Sequence, residues 1–591
     1  MFARVVLLPL SLALAVVLGP GSYFETNDDG TMAWLLAGVL GPGPAVSLPL
    51  YLHGYGPALA AGYAAAPEVP WLGLLLGGML AAATLLWFAV LDKLLRPHLR
   101  PGWLLLALAL FFALAWLEHW LWFSHARVAL LLAAGGVLFA AQRPGHRAPL
   151  LLGLAALLAA WLVRPGLASL GALAALPAAG YLAGSWRRAA PGLLGAGLLL
   201  ALAFGLNRLR QTPADARAQA RDAGLTRILD YGLLRPHPRT LTDSLGTAAI
   251  GAWLPGDTAL VDAALRGWVY RFEPAEFFGR VVPAKLALRG GLLLRDCFPV
   301  LLALLATVVP ALRRGRGGGG RFWLVQLAFA AGLAGLAGIL KLPPRLALPL
   351  LDCWLLTNLV FWLRAPEGST GAPLPFEVPG RGQPAGQRQF ASLAGHPRIG
   401  LWPVRPALGR QAPPPPVLRL LWLAGVGLVL AVVVLYTAKT AHRQQVLRQE
   451  QRQNQAALRL LRRRSSGAVR ILAGTNDLLK SLSPFRSYSP GPGPLLQLSG
   501  WPALGAAQTD LRQALTGTRD QTECLRRLAR GAGRRPRQPV WWLLTPDAAQ
   551  WLNRRFRLAR AGVELRPAAA PAGSGPAAPG RYYPVLVDPT P

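Results

Sequence analysis

Residues 70–91 read PWLGLLLGGMLAAATLLWFAVL, a run with no charged side chain. As a helix rising 1.5 Å per residue it reaches about 33 Å, enough for a hydrocarbon core of about 30 Å. Runs of the same character recur at 4–19, 103–121, 126–141, 149–163, 167–184, 191–207, 297–312, 322–340, 346–363 and 417–438. Together they predict a mainly α, polytopic helical membrane protein of about eleven transmembrane helices, the shorter ones completed by flanking residues. The first run, with Arg4 ahead of it, has the outline of a signal peptide. Gly19-Pro20-Gly21 is a poor cleavage context, however, so an uncleaved anchor is expected.

Composition supports this class and removes others. Hydrophobic residues make up 53% of the 591 and charged residues 15%. The charged share is well below the roughly 25% of soluble domains, and the repeated apolar blocks of about 17–22 residues exclude a compact soluble enzyme. Abundant Leu, Val, Trp and Phe exclude disorder for most of the chain. Lys and Arg number 61 against 26 Asp and Glu, a formal charge of +35. Most of that charge is Arg, alongside much Ala, Gly and Pro, which is the composition of a GC-rich genome. Nucleic-acid binding is therefore not expected from charge alone. Cys297, Cys353 and Cys524 are too widely spaced for a disulfide framework or a metal site.

Short-loop cations set the expected orientation. Counted from a cytoplasmic N-terminus, inner loops carry Lys93, Arg96 and Arg100, then Arg143 and Arg147, then Arg187 and Arg188, then Arg313, Arg314, Arg316 and Arg321. Outer short loops hold only Arg127, Arg164 and the Lys341/Arg345 pair, and loop 20–69 has no Lys or Arg. The expected location is a bacterial inner membrane with the N-terminus inside.

The predicted organisation is a transmembrane core over 1–364, with outer loops 20–69 and 208–296. A Pro/Gly-rich cytoplasmic linker follows over 365–416, then the last span at 417–438 and a juxtamembrane helix over 439–465. Residues 466–591 predict a small α/β extracytoplasmic domain, with strands at Val469–Ala473, Val540–Leu544 and Tyr582–Val587. A helix is expected from Pro546 to Ala559, capped by Thr545 with Pro546 at its first position.

The strongest chemical signal is Phe24-Glu25-Thr26-Asn27-Asp28-Asp29, directly after the first span. Three carboxylates without a cation nearby in sequence repel one another, so one should titrate high unless a metal or partner cation compensates. Such a cluster suits a general base or a ligand for a hard divalent cation. It equally suits a solvated acidic turn, with Asn27 or Asp28 capping a helix from Gly30 to Val39. Glu118, His119 and His125 either complete a divalent-cation site with these carboxylates or solvate a short turn. Asp352, inside a span, is either functional or held by a structural hydrogen bond.

An acidic pair on the first outer loop of an N-in, many-span chain resembles the GT-C superfamily of membrane glycosyltransferases. Within it, the chain is similar to bacterial membrane proteins carrying Thr-Asn-Asp-Asp after the first helix. Trp161-Leu162-Val163-Arg164-Pro165, Arg227-Ile228-Leu229-Asp230-Tyr231, Ser483-Pro484-Phe485-Arg486-Ser487-Tyr488 and Gly500-Trp501 resemble further elements of those proteins. The pair here is Asp-Asp rather than the Asp-Glu of better-known members.

The resemblance implies transfer of a sugar from a polyprenyl-phosphate donor to an envelope glycan or lipid acceptor on the outer face. One first-loop carboxylate would take the acceptor's hydroxyl proton. By position this is Asp28, with Asp29 as second choice or in a positioning role and Glu25 a poorer candidate. The departing lipid phosphate needs a cation. Arg345, where a span re-enters, is the expected partner, with Arg164 and Lys341 as alternatives, although each also reads as an ordinary snorkelling cation. No cofactor is required on this reading beyond a divalent cation if one is used. The competing functions are a flippase or transporter of a lipid-linked substrate, and a non-catalytic envelope assembly protein.

Overall fold

The computed structural model describes residues 1–313, 319–363, 416–463, 467–474, 478–531, 539–567 and 583–589. The protein is mainly helical. Six described helices are long and apolar enough to cross a membrane: Trp71–Leu95, Pro101–Leu121, Pro165–Ala183, Trp186–Arg210, Gly319–Gly338 and Pro344–Leu363. Pro274–Asp296 and Phe298–Val309 would add a seventh as one span bent by 92°. Ala3–Leu18, His125–Ala141 and Arg147–Val163 are apolar but shorter. The run 417–438 lies within the helix Pro416–Arg463. The predicted linker 365–416 falls outside the described residues except for Pro416.

Residues 1–364 and 440–591 form one compact unit. Residues 365–439 form a second, helical from Pro416 onward. Within the first unit, His125–Ala141 is the central helix. Almost every residue of it is buried, and it packs against the helices at 71–95, 147–163 and 165–183. Small residues permit that closeness. A Cβ on Gly136 would lie 2.6 Å from the Gly153 carbonyl oxygen, and one on Gly171 would lie 2.3 Å from that of Leu130.

A two-residue strand β1 (Tyr23–Phe24) runs parallel to β2 (Trp122–Phe123). It sits just before the acidic stretch and just before the central helix, so it fixes one against the other. On its far side the Phe24 N–H donates to the Leu482 carbonyl at 2.8 Å, and the Ser481 N–H donates to Phe24 at 2.9 Å. In the long loop, β3 (Leu234–Pro236) and β4 (Tyr270–Phe272) form an antiparallel pair.

The C-terminal segment builds a five-stranded sheet from β5 (Val469–Ala473), β6 (Leu495–Gln497), β7 (Val540–Leu544), β8 (Val563–Pro567) and β9 (Tyr583–Pro589). The strand order is β6-β5-β7-β9-β8, parallel across β6-β5-β7 and antiparallel beyond. β5 and β7 coincide with two predicted strands and β9 with most of the third. The helix Pro546–Leu558 has the predicted Thr545 cap, whose hydroxyl accepts from the Ala548 N–H. Neither β6 nor β8 is apparent in the sequence, because each is short and bounded by Pro and Gly.

This sheet shares its apolar core with the long loop, since Leu245, Ile250, Leu254 and Leu265 cluster with Trp551, Leu552 and Phe556. A buried ion pair joins the same two segments, Arg555 Nε to Asp257 Oδ2 at 2.6 Å. Segments nearly three hundred residues apart thus close over one core.

Candidate functional site

The acidic stretch lies in a helix rather than ahead of one. Asn27–Leu36 is helical and Thr26 occupies the cap position without a side-chain cap bond. This corrects the expected helix from Gly30 to Val39 and its expected caps. Starting earlier places Asp28 and Asp29 in the first turn, where carboxylates are favoured by the unpaired N–H groups. The segment is clamped by the C-terminal part of the chain. Asn27 Oδ1 accepts from the Leu479 N–H at 2.8 Å, and Trp34 Nε1 donates to the Tyr488 carbonyl at 2.7 Å. Gly30 is required by the same contact, because a Cβ there would lie 2.8 Å from Leu479 Cβ.

The three carboxylates have separate environments. Glu25 is buried and accepts from Arg127 Nη2 at 2.9 Å and from the Arg345 backbone N–H at 3.0 Å. Asp29 is fully buried, and its Oδ1 accepts the His125 N–H at 2.8 Å and pairs with His125 Nδ1 at 2.9 Å. Its Oδ2 has no hydrogen-bond partner. Asp28 is only half-buried, taking Trp501 Nε1–H on Oδ1 at 3.2 Å and a long contact of 3.5 Å from the Thr26 hydroxyl on Oδ2. Of the acidic pair, Asp28 is the one that opens outward.

Around Asp28 the chain assembles groups from five segments. Tyr51 is buried with its ring edge-on to His125 at 5.1 Å and tilted against Trp501 at 5.5 Å. The Arg164 guanidinium stands 4.2 Å over the Tyr51 ring and gives one hydrogen bond, to the Leu50 carbonyl at 2.8 Å. Leu52 follows in the left-handed region at φ +52°, and its N–H reaches the Val163 carbonyl at 3.0 Å. That bond ties the strained turn to the Arg164 segment. Arg345 lies in the field of Glu25, Asp28, Asp29 and Tyr51. Burial pushes the Tyr51 phenol up, opposed by Arg164 and aided by Asp28 and Asp222.

Asp28, Arg164 and Arg345, all singled out in the sequence, therefore share one neighbourhood. Among the described residues neither guanidinium is in an ion pair. Lys341 differs, since its ammonium is engaged by Asp230 of the Arg227–Tyr231 motif. Glu25 and Asp29 are held by other protein groups.

The suggested divalent-cation set does not converge. Glu118 pairs with Arg443 at 3.0 Å, His119 with Asp352 at 2.8 Å, and His125 with Asp29. Among the described residues no group of three His, Cys, Asp or Glu side chains is placed to hold a metal. For Asp352 the hydrogen-bonded reading is the one observed.

Three contributors were missed in the sequence. Arg127 is the cation that the acidic stretch lacked locally, and it comes from 102 residues away. Tyr51 looks like any loop aromatic. Asp222 sits on the helix Pro213–Leu229 among ordinary polar residues. None of the three belongs to a local pattern.

The described fold is mainly helical, with six helices long and apolar enough to cross a membrane, consistent with a helical membrane protein. Its site places a half-buried carboxylate in the same neighbourhood as two guanidiniums. No protein family, curated protein or solved structure matches the chain.

Proposed function

We propose that the protein is a membrane glycosyltransferase, moving a sugar from a polyprenyl-phosphate donor to an envelope glycan or lipid acceptor. In this reading the chain crosses a bacterial inner membrane about eleven times from a cytoplasmic N-terminus. Loops 20–69 and 208–296 and the C-terminal sheet then stand on the outer side.

The observation that carries the reading is that a half-buried Asp28 shares one neighbourhood with two guanidiniums, Arg345 and Arg164, that are free of ion pairs among the described residues. Each component has a place in the chemistry. Asp28 takes the proton of the acceptor hydroxyl as its oxygen attacks the anomeric carbon. The bond from that carbon to the phosphate oxygen breaks, and the electron pair leaves with the lipid phosphate. Arginine suits the developing phosphate charge, because its planar fork donates two parallel hydrogen bonds. Cations already in place gain most where water is partly excluded.

Asp29 acts as a positioning residue. It fixes the first turn of its helix to the start of the central helix through His125 and so sets the direction of Asp28. Glu25 and Arg127 do the same for Arg345 through its backbone N–H.

The test compares envelope glycans from strains carrying wild-type protein and Asp28→Asn at equal membrane levels. Loss or shortening of one glycan in the variant is expected. Identical glycans, in a strain where deletion of the whole gene does change them, would contradict the assignment.

A further inference from the structure

Beside Asp28 and the two arginines, a second set of groups has polar capacity and no protein partner. Tyr51 is 8% exposed, yet among the described residues its hydroxyl makes no hydrogen bond. The same is true of the Asp222 carboxylate. The Tyr51 ring is buried but its hydroxyl is not sealed off, and the Asp222 carboxylate is half-buried, so two polar groups at one place stand open to a ligand.

The backbone explains why Asp222 belongs here. On its helix, Gln219 and Asp222 are three residues apart and lie on one face. Gln219 Nε2 donates to the Pro49 carbonyl at 2.8 Å, two residues before Tyr51. Arg221 Nη2 donates to the Leu504 carbonyl at 2.7 Å, three residues after Trp501. The helix is thus pinned between the segment bearing Tyr51 and the segment bearing Trp501. Asp222 also feels the charges of Arg164 and Asp28.

Trp501 is held with equal care. Gly500 adopts φ +79° with ψ 179°, a conformation open essentially to glycine. Its N–H donates at 2.8 Å to the carbonyl of Trp253, itself a non-glycine residue at φ +56°. Two unusual backbone conformations from different segments therefore set one indole, half-exposed, against Tyr51 and Asp28.

We propose that Tyr51, Asp222 and Trp501 form a carbohydrate subsite, and this rests on the glycosyltransferase reading. A sugar ring presents an apolar C–H face and a rim of hydroxyls. The half-exposed indole suits the face, the Asp222 carboxylate accepts from adjacent hydroxyls, and the Tyr51 hydroxyl donates to one of them. The ring lies beside Asp28, while Arg345 and Arg164 hold the phosphate. Sugar and phosphate are thereby recognised by separate residues.

The experiment measures equilibrium binding to the purified full-length protein in nanodiscs. The probes are undecaprenyl phosphate and a panel of undecaprenyl-phosphoryl hexoses and pentoses, together with the matching free oligosaccharides. The variants are Asp222→Asn, Tyr51→Phe and Trp501→Ala, with Arg345→Gln as the phosphate-side control, each checked for a cooperative unfolding transition. Wild type should bind one sugar-bearing lipid at least about tenfold more tightly than undecaprenyl phosphate. Asp222→Asn and Tyr51→Phe should remove most of that gain and leave undecaprenyl phosphate binding unchanged. Arg345→Gln should weaken both.

If the variants instead weaken a free oligosaccharide and not the sugar-bearing lipid, the subsite takes the acceptor sugar rather than the donor sugar. Equal losses for lipids with and without sugar, or no gain from any sugar in either form, would overturn the subsite while leaving the carrier-lipid reading intact. Failure of wild type to bind any carrier lipid would overturn that reading and the subsite with it.

Discussion

Arg127 Nη2 donates to Glu25 Oε2 at 2.9 Å, and both side chains are almost fully buried. The pair extends into a closed circuit. Arg127 Nη1 meets His119 Nδ1 at 3.2 Å, His119 Nε2 meets Asp352 at 2.8 Å, and Glu25 Oε1 accepts from the Arg345 N–H at 3.0 Å. Asp352 and Arg345 lie on one helix, Pro344–Leu363. The circuit therefore fastens that helix to the first loop at two points. Breaking one partner leaves a buried charge uncompensated, so Arg127→Met should cost about 3–5 kcal/mol of stability. Glu25→Gln combined with Arg127→Met should recover a large part of it. Unfolding midpoints in detergent measure both, and a single variant as stable as wild type would contradict the assignment.

The two adjacent aspartates should behave oppositely. Asp29 is fully buried on His125, so Asp29→Ala removes a charge-assisted contact and should cost roughly 1.5–3 kcal/mol. Asp28 is half-buried, and Asp28→Asn should change stability by less than about 0.5 kcal/mol, as for an ordinary surface substitution. The same two proteins assayed for sugar transfer should show a near-complete loss for Asp28→Asn. Equal destabilisation by both would remove the distinction.

Asp222 predicts a pH signature. Burial raises its carboxyl above the usual range, against the pull of Arg164. A carboxyl raised on folding loses its proton more easily when unfolded. Its ionisation is therefore no burden below the ordinary value of about 3.9, and it destabilises the fold progressively as pH climbs from there through the raised value. Asp222→Asn should stabilise the protein at neutral pH, with the gain fading as pH falls through the raised value and gone below about 4. Thermal midpoints of the two proteins across pH test this. A variant less stable than wild type at pH 7 would show that Asp222 makes a structural contact instead. Stability given up at an unpaired polar group is a common mark of a working site.

Gly500 predicts a backbone effect. At φ +79° and ψ 179° a Cβ is strained, so Gly500→Ala should cost about 1–3 kcal/mol. It should also swing Trp501 away from Asp28 and lower transfer beyond what the stability loss explains. An unchanged melting midpoint would show that the turn tolerates a side chain.

Much of the helical layout was legible in the sequence, because apolar length alone marks a helix that must satisfy its own backbone in lipid. The predicted runs fall in helices, yet length and composition qualify six of the eleven among the described residues. Runs 4–19, 126–141 and 149–163 are short, 297–312 follows a sharp bend at Cys297, and 417–438 is part of the helix Pro416–Arg463. The C-terminal strands at 469–473 and 540–544 were visible as apolar runs with turn residues at their ends. Their partners β6 and β8 were not, because a three-residue strand and a Pro-terminated strand carry little pattern.

The acidic stretch was visible as charge where charge was unexpected. Its cation was not, because Arg127 reads locally as one residue at the start of an apolar helix. Arg345 and Arg164 could be picked out by position, whereas Tyr51 and Asp222 reach the site only through long-range packing that no local spacing encodes. Trp501 was seen only as part of a short motif, since the bond that gives it a role spans 473 residues.

The central claim is that Asp28 is the base of a sugar transfer. Its most direct test is release of polyprenyl phosphate from a panel of radiolabelled polyprenyl-phosphoryl sugars by the purified protein in nanodiscs with envelope glycan as acceptor. Wild type should move label from one donor to the acceptor, and Asp28→Asn, folded as well as wild type, should transfer at least about a hundredfold more slowly, as expected for loss of a general base. Transfer by Asp28→Asn at the wild-type rate would contradict the account.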